Sequence, residues 1–136
     1  MFKKEITYTD YNGNVRTEPF YFNLNKAEIL KLAARYPGGL DNYLKDIFDK
    51  KDMARLLDFF EELVLSSYGR KSDDGRRFIK SKEIRDEFMQ SEAYSTFLME
   101  ILSDPTGGDK ANEFMHGIVP ESLLEEANRQ NIMSLV

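Results

Sequence analysis

The first 24 residues alternate between apolar and polar side chains, as strands do. Residues 2–9 and 15–22 are rich in β-branched and aromatic types, which favour β-strands. Asn12-Gly13 lies between them, and both residue types tolerate the positive φ angles of a tight hairpin turn. The pattern therefore predicts an N-terminal β-hairpin over residues 1–24.

One face of this hairpin should be buried, because its large apolar side chains fall on one parity. They are Phe2, Ile6 and Tyr8. Pro19 lacks the N–H that a ladder needs, which favours an edge position. Since a two-stranded hairpin alone is marginal in water, we expect it to pack on the helices or to pair with another chain.

After residue 24 the apolar positions change to a helical period. Asn25, with Glu28 three residues later, is typical of a capping box, and Pro37-Gly38-Gly39 predicts a stop. Two long stripes follow at the i, i+3, i+4, i+7 spacing of one helix face. They comprise Leu40, Tyr43, Leu44, Ile47 and Phe48, and then Met53, Leu56, Leu57, Phe60, Leu63 and Val64. The second is the longest apolar stripe in the chain and predicts the central core helix. Asp49 is the predicted N-cap of the second helix, and Gly69 is its predicted left-handed stop.

Shorter helices and turns make up the second half of the chain. The loop 69–80 should turn at Asp73-Asp74-Gly75, with residues 76–80 as the second strand of a small hairpin. Ser81 and Ser91 predict two helix starts. The apolar faces that follow carry Ile84, Phe88 and Met89, then Tyr94, Phe97, Leu98, Ile101 and Leu102.

The last third of the chain predicts two more helices. A short one carries Ala111, Phe114 and Met115 and should be closed by Gly117. Pro120 is well placed to open the final helix, whose inward residues are Leu123, Leu124 and Ala127. Residues 131–136 should be a frayed tail.

These elements predict an α+β fold that is mostly α-helical. The N-terminal β-hairpin should pack on a bundle of about five to seven short helices. A length of 136 residues indicates one domain. We therefore expect a single domain over 1–136, with the hairpin at 1–24, the helical part at 25–130 and the tail at 131–136.

Composition and single residues argue against several functions. A net charge of −5 argues against a general nucleic-acid binder, and the absence of Cys excludes thiolate metal sites. No apolar run resembles a signal peptide or a membrane span, so we expect a cytoplasmic protein. His116 is the single histidine, at a helix end where the dipole favours it. We therefore expect no enzyme activity, no cofactor and no metal site.

A basic loop stands out in this acidic chain. Six cations lie between residues 70 and 82, namely Arg70, Lys71, Arg76, Arg77, Lys80 and Lys82. The loop is either simply solvated or an electrostatic docking site for an acidic partner segment. Phosphate contact is a third reading, with Phe78 as a stacking ring.

Several phrases of the sequence resemble a family of small proteins from tailed bacteriophages and prophages. They are FYFNL at 20–24, YPGGLDNYL at 36–44, SYGRKSDDGRRFIKS at 67–81, IRDEF at 84–88, SEAYSTFLME at 91–100 and FMHGIVP at 114–120. In phrase and order they look like the tail assembly chaperones of phages with long non-contractile tails. The resemblance covers most of the chain, from the hairpin to Pro120.

The resemblance implies a role in the host bacterial cytoplasm. Such proteins bind the tape measure protein, a very long, largely helical and apolar chain, and keep it soluble. They recruit major tail tube protein subunits and leave before the tail is finished. Many occur as a short form and a frameshifted longer form, and this chain would match the short form or the first domain.

A chaperone for an apolar helix needs accessible apolar surface. We therefore predict a partner-binding groove formed by the helices of 82–103 and the tail 120–136, with the basic loop as its charged rim. The predicted binding residues are Arg70, Lys71, Arg76, Arg77 and Phe78 in the loop, and Tyr94, Phe97, Leu98, Met99 and Ile101 on the helix. The same helical stripe is more often typical of a simple core.

Two other functions stay open at this point. One is a structural tail or head component that self-assembles as a homo-oligomer through the edge of the hairpin. The other is a regulatory module that binds nucleic acid through the basic loop.

Overall fold

The computed structural model describes residues 1–36, 38–103 and 109–118, without the side chain of Asp41. This part of the chain forms a four-stranded antiparallel sheet and six helices. In chain order these elements are β1 Phe2–Thr9, β2 Val15–Phe22, α1 Lys26–Ala34, α2 Leu40–Lys50, α3 Met53–Ser67, β3 Tyr68–Lys71, β4 Phe78–Ile79, α4 Lys82–Met89, α5 Glu92–Leu102 and α6 Asp109–Ile118. The predicted α+β, mostly helical fold is confirmed. The predicted last helix from Pro120 and the tail 131–136 lie outside the described residues.

The N-terminal hairpin has the bounds that the alternating pattern predicts. β1 and β2 pair from Phe2 with Phe22 to Thr9 with Val15. Gly13 has a φ of 83°, and the Asp10 carboxylate accepts hydrogen bonds from two backbone N–H groups of the turn, each 2.9 Å long. The hairpin turn is thus held by its own side chain as well as by its backbone.

The second hairpin joins the first, which the sequence did not indicate. β3 pairs with β2 only at Tyr21–Gly69 and Phe22–Tyr68, so β2 lies inside the sheet order β1-β2-β3-β4. The predicted edge position of Pro19 is therefore wrong for the strand as a whole. It holds locally, because the same register would set Pro19 opposite Lys71, where the ladder has already ended and no N–H is needed.

The connection between α2 and α3 differs from the prediction. Lys51 adopts the left-handed conformation with φ of 51°, its N–H bonds to the Phe48 carbonyl, and the Asp52 N–H bonds to the Ile47 carbonyl at 3.0 Å. This double closure ends α2 after Lys50. Asp52, and not Asp49, is then the N-cap of α3, because its carboxylate accepts from the Arg55 N–H.

Two glycines expected to stop helices have other roles. Gly69 lies in β3, directly after α3, and Gly117 lies within α6. Neither has a positive φ. A side chain at Gly69 would meet the ring of Phe78 at 2.7 Å, and one at Gly117 would meet Phe2. Both glycines therefore mark close approaches between elements.

The core lies between the inner face of the sheet and helices α3 to α6. Its centre is a cluster of aromatic rings around Phe22, which is fully buried and lies 5.0 Å from Phe97 and 5.4 Å from Phe114 between ring centroids. A second group of rings joins α1, α2 and α3 through Tyr36, Tyr43 and Phe59. The capping box of Asn25 and Glu28 is confirmed at the N-terminus of α1.

Candidate partner-binding site

The β3–β4 hairpin carries the predicted basic loop as an arm, and we call residues 70–79 the basic arm. Its turn is closed by hydrogen bonds from the Ser72 N–H to the Arg77 carbonyl and from the Gly75 N–H to the Ser72 carbonyl, both 2.9 Å. The Asp74 carboxylate accepts from the Arg76 N–H at 3.0 Å and from the Ser72 hydroxyl at 2.7 Å. These bonds lower the pKa of Asp74, the backbone bond most of all. The tip of the arm is therefore ordered by its own residues.

The six cations of the loop separate into two groups. Three form ion pairs with carboxylates of their own chain, at 2.6 Å, 2.6 Å and 3.3 Å. These pairs are Arg70–Glu87, Lys80–Glu28 and Lys82–Asp86. Within the described ranges, Lys71, Arg76 and Arg77 have no carboxylate partner, and all three are exposed. The charge available for a partner therefore lies at the tip of the arm.

Phe78 has a structural role on the arm. Its ring packs on the position of Gly69, where the absence of a Cβ leaves room for it. Lys80 places its ammonium 5.8 Å from the centroid of this ring, and the side chain of Phe78 is only half-buried. One face of the Phe78 ring therefore packs β4 against Gly69 at the base of the arm.

Helix α5 places the five predicted apolar binding residues unequally. Tyr94, Phe97 and Ile101 are buried, with exposed fractions of 9%, 2% and 3%, and α5 packs them against β1 and α3. Burial, with the Glu61 carboxylate as a smaller cause, raises the pKa of Tyr94 to about 12. Leu98 is half-buried, and Met99 is exposed. As folded here, only these last two offer apolar surface to a partner.

An exposed apolar edge that the sequence interpretation assigned to the core lies at the α2–α3 turn. The assignment of Met53 and Leu57 to the core is wrong, since their exposed fractions are 58% and 39%. Phe48, on the stripe of α2, is also exposed, at 57%. Arg55 ties the opposite edge of the two helices together through Asp46 at 2.9 Å. Phe48 lies near the end of α2, just before this turn, and Met53 and Leu57 lie one helical turn apart on the same face of α3.

The apolar pattern of α3 already indicated that Met53 and Leu57 lie at the edge of its buried face. Phe59, which the sequence interpretation omitted, is buried with an exposed fraction of 2%. Including it moves the centre of the α3 stripe away from Met53 and Leu57. Phe48 similarly lies at the margin of the α2 stripe defined by Leu40 and Ile47.

A groove runs along α3, between α1 and α4, with a volume of about 470 Å³. Its apolar floor contains Leu65 and Met89, and four carboxylates and two guanidinium groups line its walls. We call it the α3 groove. Glu62 pairs with Arg35 across it, whereas Asp58 and Glu61 on α3 are exposed and without an ion pair in the described part of the chain.

Nothing in the described ranges resembles a metal site or a membrane span. No group of three or more His, Asp or Glu side chains there is arranged to hold an ion. None of the helices described is both long and apolar enough to cross a bilayer. His116 lies exposed in the last turn of α6, which is the position that the dipole argument predicts for it.

Comparison with known proteins gives one match that decides the family. The family model described as phage tail assembly chaperone matches residues 1–134, nearly the whole chain. The chain belongs to this family. No curated protein and no solved structure matches it. Membership of the chaperone family implies protein partners in tail assembly and indicates a non-enzymatic role.

The ten predicted binding residues of this chaperone lie on two separate elements. Five are on the basic arm and five are on α5. Of the arm residues, Lys71, Arg76 and Arg77 are free of ion pairs in the described part, and of the α5 residues only Leu98 and Met99 reach the surface. Their contact with a partner stays a prediction. The tail 120–136, expected to complete the groove, lies outside the described residues.

Proposed function

We propose that this chaperone binds the tape measure protein in the host cytoplasm, keeps it in solution and recruits tail tube subunits, without catalysing a reaction. Membership of the tail assembly chaperone family supports the general role. The resemblance to chaperones of long non-contractile tails supports these particular partners.

One observation carries the proposal, namely the exposure of long, flexible apolar side chains on several helices. Met53, Met89 and Met99 have exposed fractions of 58%, 39% and 60%. Methionine adapts to varied apolar surfaces because it has three rotatable bonds and a polarisable sulfur. Such side chains suit the binding of a long apolar helix whose sequence changes along its length.

The α5 edge is the proposed contact for the tape measure protein. Met99 supplies the mobile contact, and Leu98 beside it is half-buried and held against the core. Phe97 and Ile101 support the helix from beneath, so they position the contact without touching the partner. The basic arm is the proposed docking element for an acidic segment of another protein.

Co-expression of the chaperone with a fragment of the tape measure protein tests this assignment. We expect Met99→Asp to send the fragment to the insoluble fraction, because a charge replaces the apolar contact. Ala27→Asp is the matched control, since Ala27 is also an exposed apolar helix residue but lies on α1. Phe97→Asp is unsuitable, because it would unfold the core.

Solubility must be compared with folding of the chaperone itself. Circular dichroism and the thermal midpoint should be the same in both variants. If the fragment stays soluble with Met99→Asp while the variant is folded, the α5 edge is not the contact. Repeating the assay with Met53→Asp then asks whether the α2–α3 edge takes its place.

A further inference from the structure

The basic arm and the α3 groove carry opposite unsatisfied charge in the same chain. Arg76 and Arg77 at the tip, with Lys71 next to them, are exposed and have no carboxylate partner in the described ranges. Asp58 and Glu61 in the groove are exposed and form no ion pair within the described ranges. The Arg85 guanidinium on the same walls has none there either, so the unpaired charge of the groove is negative by two carboxylates against one cation. The two sets therefore complement each other but do not meet in the folded chain.

The path of the chain explains why they stay apart. Asp58 precedes the start of β3 by ten residues of helix, which is about 15 Å along the axis of α3. The root of the arm is fixed by the Tyr21–Gly69 pair and by the Arg70–Glu87 ion pair at 2.6 Å. Since the turn is also closed by its own hydrogen bonds, the tip cannot fold back on α3 without breaking these contacts.

We propose that the basic arm of one copy docks in the α3 groove of a second copy. This proposal rests on the proposed function only in treating the arm as a docking element. The guanidinium groups of Arg76 and Arg77 would meet the carboxylates of Asp58 and Glu61, and their methylene stems would cover Met89 on the groove floor.

The shapes of the two surfaces favour a second copy as the occupant. The groove is open, about 470 Å³ in volume, and offers an apolar floor between charged walls, which suits a narrow two-stranded tip ending in two arginines. Each copy presents one arm and one groove at different places. The contact is therefore head-to-tail, and it builds a ring if the rotation closes or a longer chain if it does not.

The association should be weak and sensitive to salt. Exposed ion pairs contribute little each, and screening shortens the range of their attraction from about 10 Å at 0.1 M salt to about 3 Å at 1 M. Such contacts come apart readily, which fits a protein that must later give way to other partners. We expect assembly to grow with protein concentration and to disappear at high salt.

Charge reversal tests the contact on the purified full chain, by sedimentation velocity at low salt without any tape measure protein. Arg76→Glu with Arg77→Glu, and separately Asp58→Lys with Glu61→Lys, should each weaken self-association at least about tenfold. Mixing the two variants should restore it, because each arm then faces a groove of opposite charge. Lys3→Glu with Lys45→Glu is the control, since it changes the net charge as much as the arm variant at two exposed sites elsewhere.

Three results would overturn the proposal. One is a wild-type chain that stays monomeric at low salt at every concentration. A second is assembly that neither charge reversal weakens. In that case Thr7→Pro, on the open edge of β1, would show whether strand pairing between copies is responsible instead. The third is failure of the mixture to restore assembly while both variants keep the wild-type circular dichroism spectrum. The solubility assay for the tape measure fragment is independent of all three, so the two proposals can fail separately.

Discussion

Gly117→Ala gives the sharpest test of the packing of α6 on the sheet. In an open helix this change would stabilise the protein by about 1 kcal/mol, because alanine has the higher helix propensity. Here the new Cβ would lie 2.9 Å from both Cβ and Cγ of Phe2, closer than carbon atoms tolerate. The structure therefore predicts the opposite sign.

The size of the effect follows from two opposed contributions. Overpacking in a well-filled region costs about 1–3 kcal/mol. Phe2 cannot move aside freely, since its ring lies 5.4 Å from the ring of Phe114 and its backbone pairs with Phe22. Subtracting the propensity gain leaves a net loss of about 1 kcal/mol in the free energy of unfolding.

Urea unfolding followed by circular dichroism measures this loss, and a double-mutant cycle with Phe2→Ala assigns its cause. Removing the ring deletes the Cγ contact and lets the first strand residues shift, so Gly117→Ala should cost less or become stabilising in that background. We expect a coupling energy of at least about 1 kcal/mol. A gain of stability from Gly117→Ala in the wild-type chain would refute the close approach of α6 to Phe2.

Three further changes test other parts of the fold. Lys51→Gly should stabilise the protein by about 0.5–1 kcal/mol in urea unfolding, because glycine relieves the left-handed strain and loses only part of this to chain entropy. Phe97→Ala should cost about 3–5 kcal/mol in the same assay, whereas a surface role for Phe97 would leave stability nearly unchanged. The pKa of Tyr94 near 12 lies above its unfolded value of about 10, so its contribution to stability is complete below pH 10 and lost as the pH rises to 12. Tyr94→Phe should flatten the fall of the thermal midpoint across that window, and an unchanged slope would contradict the burial of the hydroxyl.

Local signals predicted the start of several elements well. The hairpin turn at Asn12-Gly13, the capping box at Asn25 and the N-cap at Ser81 each depend on residues close in sequence, and the structure confirms all three. Such features are fixed by backbone angles and by short-range hydrogen bonds. A single sequence contains all the information that they need.

The errors arose where contacts between distant residues decide the outcome. A glycine after an apolar helical stripe is typical of a helix end. At Gly69 and Gly117, however, an aromatic ring from another element leaves no room for a Cβ atom. Phe48 and Met53 have the spacing of core residues, but they lie outside the part of each apolar helix face that neighbouring elements bury. Periodicity shows which face is apolar and leaves open how much of that face a neighbour buries.

The candidate site was predictable in part for the same reason. Charge density marked the arm, yet only the fold shows that Arg70 and Lys80 are used within the chain while Arg76 and Arg77 are free of ion pairs in the described part. On α5, Phe97 and Met99 lie about 200° apart around the helix, on nearly opposite faces. The helical period therefore separates the two residues, but which of the faces is covered depends on β1 and α3, which are distant in sequence.

Pro19 connects the architecture of the sheet to the availability of the arm. An N–H at this position could extend the β2–β3 ladder beyond Tyr21–Gly69 toward Lys71. The arm would then lie along the sheet, and its free cations would be drawn toward β2. Because proline ends the ladder there, the arm leaves the sheet at Arg70 and carries its charge away from the core. Pro19 therefore sets the direction of the arm that we propose as a docking element.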